Sequence, residues 1–213
     1  MQAGEKVVCQ DDRCGSEPIY TIGHSNYPAD RFVALLRQHQ ITLLADVRSV
    51  PYSRYHPQFN RESLASTLLL AAVTYSYLGD SLGGRATPSP KEGDSHPVDY
   101  ELASKEPKFR QGIEWLMDAS LKARVVIMCA EREPLDCHRT LLVARELASR
   151  GVRICHILSD GRLEPHEETE KRLLAATGCQ PDLFSLQCGP DELLRRAYQE
   201  RSRSITASTV ERK

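Results

Sequence analysis

The chain has 213 residues, with 28 Lys plus Arg against 29 Asp plus Glu for a formal net charge of -1, and a mean hydropathy of -0.44. This length suits one α/β domain with terminal extensions better than two full domains, and the near-neutral balance removes a global basic field as an argument for nucleic acid while leaving local patches open. The longest uninterrupted apolar run, residues 68–73, is far below the ~20 residues of a spanning helix, so no membrane passage is expected.

Residues 1–8 carry no apolar h-region, which makes cytoplasmic the default compartment. Residues 1–17 then read as an N-terminal extension. Residues 18–22 are apolar and aromatic and break at Gly23-His24-Ser25-Asn26, the pattern of a strand entering a polar loop. From Asp30, the apolar positions Phe32, Leu35 and Leu36 recur with helical spacing, and residues 41–47 form a second strand. Asn60 is placed to cap a helix carrying Leu64, Leu68 and Ala72, and residues 73–78 give a third strand before Gly83-Gly84. Residues 86–98, with three prolines, read as a surface loop. Phe109, Ile113, Leu116 and Met117 mark a helix leading to a central strand at 125–130. Asp136 is a candidate N-cap for the next helix, Gly151 its stop, and residues 152–158 a further strand.

This alternation predicts an α/β, Rossmann-like fold with a mostly parallel sheet and helices on both faces, over residues 18–176. Residues 177–200 read as a C-terminal extension and 201–213 as a disordered basic tail. Arg195, Arg196, Arg201, Arg203, Arg212 and Lys213 stand there against Glu200 and Glu211, making a weak electrostatic arm conceivable.

Seven cysteines without a C-x-x-C pair support neither a disulfide framework nor a ribbon-type zinc site, and Cys9, Cys14, Cys179 and Cys188 read as unpaired thiols. In an open parallel sheet, the loops beyond the strands' carboxyl ends converge on one edge. Four such loops carry unusual polar residues. They hold His24, Ser25 and Asn26; Asp46, Arg48, Tyr52, Arg54 and Tyr55; Gly83 and Gly84; and Glu131, Cys137, His138 and Arg139.

The chain resembles the uncharacterised family catalogued as domain of unknown function 488. The resemblance is carried by Tyr20-Thr21-Ile22-Gly23-His24-Ser25-Asn26, Asp46-Val47-Arg48-Ser49-Val50-Pro51, Leu82-Gly83-Gly84, Cys129-Ala130-Glu131 with Cys137-His138-Arg139, and His156-Ile157-Leu158, in matching order over roughly residues 18 to 176. It implies a compact α/β domain and transfers no activity.

The turn between Cys129 and Arg139 suits an anion, with Arg48 or Arg139 adding a bidentate contact and Ser25, Asn26, Gly83 and Gly84 lining the substrate. The Cys-x5-Arg loop of phosphatases and rhodaneses is not met, since the position reached is Leu135, with Arg132 and Arg139 nearby. Cys137 at a helix start is a candidate nucleophile. Neighbouring residues on a helix point about 100° apart, so His138 is expected to serve it poorly and His24 better.

Asp46 and Glu131 are either acid/base groups or partners that orient the arginines, and Glu131 is the preferred acid/base group because it follows a buried strand. The loop at 48–61 combines arginines with Tyr52, Tyr55 and Phe59, which suits phosphates and stacked bases or else packing onto the sheet. His156 is expected mainly to pack.

The leading expectation is an enzyme acting on a nucleotide or nucleic acid by acid/base hydrolysis or base modification, with His24, Asp46, Glu131, Cys137 and His138 as catalytic candidates. A non-catalytic phosphate or nucleic-acid binding module is the second. Thiol redox or metal chemistry at Cys129 and Cys137, with His24 or His138, is the third. No resident cofactor is expected, although a transition metal is compatible with the third reading.

Overall fold

Each strand of the sheet sorts its side chains by alternation, which is how a fully buried run serves two cores at once. Along β4 (Val125–Cys129), Val126 and Met128 enter one apolar cluster, while Val125, Ile127 and Cys129 enter the other. In β1 (Ile19–Gly23), Tyr20 and Ile22 face the first cluster and Ile19 the second. The computed structural model describes residues 17–84, 99–180 and 189–210. The N-terminal extension up to residue 16, the loop at 86–98, and Cys9, Cys14, Cys188, Glu211, Arg212 and Lys213 lie outside them.

The described strands form one six-stranded sheet in the order β3-β2-β4-β1-β5-β6. It includes β2 (Leu43–Asp46), β3 (Thr74–Tyr77) and β5 (Ile154–Ile157), all parallel to their neighbours among β1 to β5, and β6 (Leu163–Pro165), antiparallel to β5. One face is covered by α1 (Ala29–Gln38) and α2 (Arg61–Leu70) through Phe32, Leu35, Leu36, Leu64 and Leu68. The other carries the short helices α3 (Gly79–Leu82) and α4 (Tyr100–Ala103), then α5 (Pro107–Ser120), a π-helical turn (Arg139–Ala144) running into α6 (Arg145–Ser149), α7 (His166–Thr177) and α8 (Pro190–Val210).

The expected α/β architecture is therefore present. Its order exchanges β1 and β4 relative to the 3-2-1-4-5-6 of dinucleotide-binding sheets. The crossover from β1 runs through α1 to β2 on one side, and that from β4 runs through α6 to β5 on the other. Because β1 and β4 are neighbours, a crevice opens beyond their carboxyl ends, which is where ligands gather in such sheets.

Four local expectations are corrected. Residues 201–210 are helical rather than disordered, because α8 is anchored by the buried Ala197, Tyr198 and Ser202. Within it, Arg195 and Arg196 pair with Glu192, and Arg201 pairs with Asp136. That same pairing takes up Asp136, which ends a 3-10 turn (Pro134–Asp136) instead of capping a helix. Asn60 does precede α2, yet its Oδ1 accepts from the Ser53 N–H at 2.7 Å rather than capping, and α2 ends before Ala72, which has φ 56°. Strand β6 was not expected, although Asp160-Gly161 is a hairpin signal, and the Leu158 N–H closes that turn on the Arg162 carbonyl at 2.9 Å.

Candidate functional site at the β1/β4 switch point

An open cleft of about 380 Å³ occupies the predicted crevice, lined by His24, Ser25, Asn26, Arg48, Val50, Tyr52, Ser53, His56, Ala130, Glu131 and Arg132. The loops after β1 and β4 are laced together. The Ser25 N–H donates to the Ala130 carbonyl at 2.9 Å, and Arg132 donates to Ser25 Oγ at 3.1 Å and Asn26 Oδ1 at 2.8 Å. Ser25 holds φ 47°, a conformation that a non-glycine residue keeps only when its surroundings impose it. Gly23 permits the close approach behind this junction, since a Cβ there would lie 1.8 Å from the Glu131 carbonyl oxygen.

The second wall is ionic. Asp46, fully buried, accepts from Arg48 Nε at 2.8 Å and Nη2 at 2.6 Å and from the Tyr75 hydroxyl at 2.8 Å. The remaining reach of Arg48 goes to the Phe59 carbonyl at 2.8 Å and to His24 Nε2 at 3.2 Å. His24 donates through Nδ1 to the Ser25 carbonyl at 2.8 Å and stacks on Phe59 at 4.3 Å between centroids. Burial, followed by the Arg48 charge, lowers its pKa to about 4. Both ring nitrogens are thus engaged on a neutral ring. Asp46 orients Arg48, and Phe59 packs inward; both had an architectural alternative in the sequence.

Beneath the cleft lies a compact cluster. The thiols of Cys129 and Cys137 converge on Glu131 Oε2 at 3.0 and 2.9 Å, and His138 Nδ1 lies 3.6 Å from Cys129 Sγ and 4.0 Å from Cys137 Sγ. The opposite nitrogen, His138 Nε2, donates to the Val47 carbonyl at 3.0 Å. The expectation that His24 rather than His138 faces Cys137 is corrected. Cys137 has extended backbone, φ -135° and ψ 138°, so it precedes the helix and the 100° argument does not apply to it.

The cluster's electrostatics follow from burial and from the neighbours. Burial, then Cys137, raises the Cys129 pKa, and burial with Cys137 also raises that of Glu131. Burial opposes a Cys137 thiolate, but the Cys129 hydrogen bond and the Arg139 and His138 charges outweigh it and lower the thiol's pKa. Burial likewise opposes a charged His138, while Cys137 and Glu131 raise it. With Cys137 only 1% exposed, substrate has no direct path to its sulfur. Glu131 alone of the four reaches the cleft, with its outer side exposed.

The other sequence candidates divide clearly. Arg139 is 0% exposed and donates to the carbonyls of Glu131 and Arg132, so it clamps the loop after β4 instead of facing a ligand. Gly83 packs against Ser49, and a Cβ on Gly84 would lie 2.5 Å from His138 Cγ, so this pair seats the cluster and does not line the cleft. Tyr52 lines the cleft and is 67% exposed, while Tyr55 stacks beneath Arg54 at 4.9 Å outside it. Val50, Ser53, His56 and Arg132 were not singled out. Arg132 had a readable signal in its place three residues past the end of β4.

His156 does not reach the cleft. The Thr21 hydroxyl donates to His156 Nδ1 at 2.7 Å, and His156 Nε2 donates to His166 Nδ1 at 2.9 Å. His166 Nε2 then donates to the Tyr198 hydroxyl at 3.0 Å, which donates to Glu170 at 2.9 Å. The direction of each bond follows from the next, with both histidines neutral.

No helix of the described residues is long and apolar enough to cross a membrane. No curated protein and no solved structure matches the chain. The family model described as Domain of unknown function DUF488 matches residues 28–145, more than half of the chain. That span includes the loops after β2 and β4, Asp46, Arg48 and Tyr75 of the ionic wall, and all four residues of the buried cluster. The chain belongs to the DUF488 family.

Proposed function

We propose that the cleft binds a phosphate-bearing nucleotide or a short single-stranded nucleic-acid segment, and that Glu131 acts there as the acid/base group of an enzyme. The observation that carries this reading is the meeting of Arg132, His56 and the exposed ring of Tyr52 at the switch-point crevice. A cation and an accessible aromatic face lining one cleft suit a phosphate joined to a base, with stacking worth about 1–3 kcal/mol per base. Arg132 supplies the cation in place of Arg139, whose guanidinium is buried in backbone contacts.

Glu131 fits the acid/base role because it lines the cleft and burial raises its pKa, which favours proton exchange nearer neutrality. Hydrolysis and base modification both use such a group. The deciding experiment titrates labelled nucleoside phosphates and short oligonucleotides against the full chain. Arg132→Ala and Tyr52→Ala should each weaken binding by about tenfold, equivalent to about 1.4 kcal/mol. Undiminished affinity in both variants would remove the cleft from the reading.

A non-catalytic binding module is the second reading, favoured by the full engagement of His24 and Asp46 in wall contacts. Turnover separates the two. Glu131→Gln should abolish product formation with binding kept if the protein is an enzyme, whereas a module consumes no bound ligand in either form.

A further inference from the structure

We propose that Cys129, Cys137, His138 and Glu131 form a transition-metal site of the zinc class beneath the cleft. Their ligand atoms all lie within 4.8 Å of one another, and three of the four residues are buried. A tetrahedral ion with the usual Zn–S and Zn–N or Zn–O bonds needs donor-to-donor edges of roughly 3.3–3.8 Å. Of the His138 Nδ1 edges, that to Cys129, at 3.6 Å, lies inside that range, and that to Cys137, at 4.0 Å, lies just above it. The two sulfur edges to Glu131 Oε2, at 3.0 and 2.9 Å, are those of thiols hydrogen-bonded to a carboxylate. Opening them by about 0.5 Å, which the exposed outer side of Glu131 leaves room for, would bring both into that range, with the remaining edges inside the 4.8 Å common to all four ligand atoms.

The surroundings supply two independent features that a metal site needs. First, His138 Nε2–H is committed to the Val47 carbonyl, which fixes the tautomer and aims the Nδ1 lone pair at the sulfurs; such an outer partner is the usual companion of a metal-bound imidazole. Second, Arg139 is a wholly buried cation with carbonyl partners and no carboxylate partner among the described residues, and its Nε has no hydrogen-bond partner. A divalent ion held by two thiolates, one carboxylate and a neutral imidazole carries a net charge of -1. Arg139, whose backbone N–H donates to Cys137 Sγ at 3.4 Å, would balance that charge and so gain the counter-charge that a buried guanidinium otherwise lacks here. Mixed sulfur, nitrogen and oxygen donors in a four-coordinate cage select zinc-class ions over magnesium or calcium.

Of His24 and His138, the two imidazoles weighed from the sequence, the structure brings His138 to the thiols, while His24 is engaged in the wall and Glu131 supplies the fourth donor. Since Glu131 is the one donor on the cleft, its position is the exchangeable one, and its carboxylate serves either as a ligand or, released from the ion, as the acid/base group of the proposed function, not as both at once. A metal there would place a Lewis acid at the cleft floor.

The test uses the full chain, stripped with a chelator and reloaded with Zn2+ or Co2+. About one equivalent of Zn2+ should remain after desalting, and Co2+ should give the intense visible bands and thiolate charge transfer of a tetrahedral sulfur-containing site. Cys137→Ser and His138→Gln should weaken binding by roughly 100-fold or more, with Cys179→Ser unchanged. Three wild-type results would overturn the proposal: a folded chain that retains no stoichiometric Zn2+, a Co2+ spectrum without thiolate charge transfer, or a Cys129–Cys137 disulfide that forms in place of metal binding. These readings stand even if a variant fails to fold. They require no nucleotide, so failure of this proposal and failure of the cleft reading are separately visible.

Discussion

Two buried polar regions flank the same sheet, and they are built on opposite principles. The relay from Thr21 through His156, His166 and Tyr198 to Glu170 is a line in which each donor has one acceptor. The cluster at the end of β4 is a knot, with two thiols on one carboxylate oxygen and an imidazole nitrogen facing both sulfurs. A satisfied neutral line specifies packing and asks for nothing further. The knot instead leaves an imidazole nitrogen facing both sulfurs and a buried guanidinium whose Nε has no acceptor, and an incompletely satisfied network of that kind is what the proposed metal would complete.

If charge separates the cleft side from the relay, the largest response should come where a charge is stranded. Asp46→Ala leaves the buried Arg48 guanidinium without its carboxylate, and a loss of about 3–5 kcal/mol is expected in urea unfolding at neutral pH. A loss below about 1 kcal/mol would show that water reaches Arg48 and that the wall is not sealed.

Acid should strike the relay next. Burial lowers the His166 pKa to about 4 and lowers that of His156 in the same direction. The unfolded chain, with ordinary histidines near 6.5, therefore binds more protons below that pH. The stability of the neutral relay is fully present above 6.5 and is lost as pH falls towards the folded value. Between pH 7.5 and 5, His166 alone should cost about 2 kcal/mol. Urea midpoints across that window measure it, and a flat profile would mean that the histidines are not neutral and buried together.

Gly84→Ala probes the knot from its roof, because the new Cβ meets the His138 ring. An overpacking cost of about 1–3 kcal/mol is expected, together with weaker Co2+ retention, whereas unchanged retention would mean that His138 is not a ligand. Thr21→Val makes the matching cut in the relay, leaving His156 Nδ1 without its donor. The loss should fall near the lower end of about 1–3 kcal/mol, with nucleotide affinity and metal content untouched. A fall in either would show that the two regions are coupled through β1.

The elements of the sheet were legible because their cause is local. Apolar runs at β1, β2, β4 and β5 and the helical spacing of Phe32, Leu35 and Leu36 are consequences of alternation and of 3.6-residue periodicity, both of which are properties of the chain itself. Asp160-Gly161 carried a hairpin signal of the same local kind for β6. Convergence of the polar loops on one edge was also legible, because it follows from parallel strands whatever their order. Charge content misled only past residue 200, where α8 continues from a stretch anchored by Ala197 and Tyr198 on a surface that only the folded domain provides.

What tertiary structure alone decided was the division of labour among look-alike residues. Arg48, Arg132 and Arg139 are equivalent as letters, yet one is locked to Asp46, one faces the cleft and one is sealed under backbone carbonyls. Likewise, nothing in the spacing of Cys129, Glu131, Cys137 and His138 assigns the imidazole to the thiols. The assignment depends on Cys137 leaving its turn in an extended conformation and on the Val47 carbonyl, 91 residues away in sequence, taking the other nitrogen. Backbone periodicity is encoded within a few residues and survives reading one chain at a time. The partner of a hydrogen-bonding side chain is chosen by distance in space, and that distance exists only once β2 and β4 lie side by side.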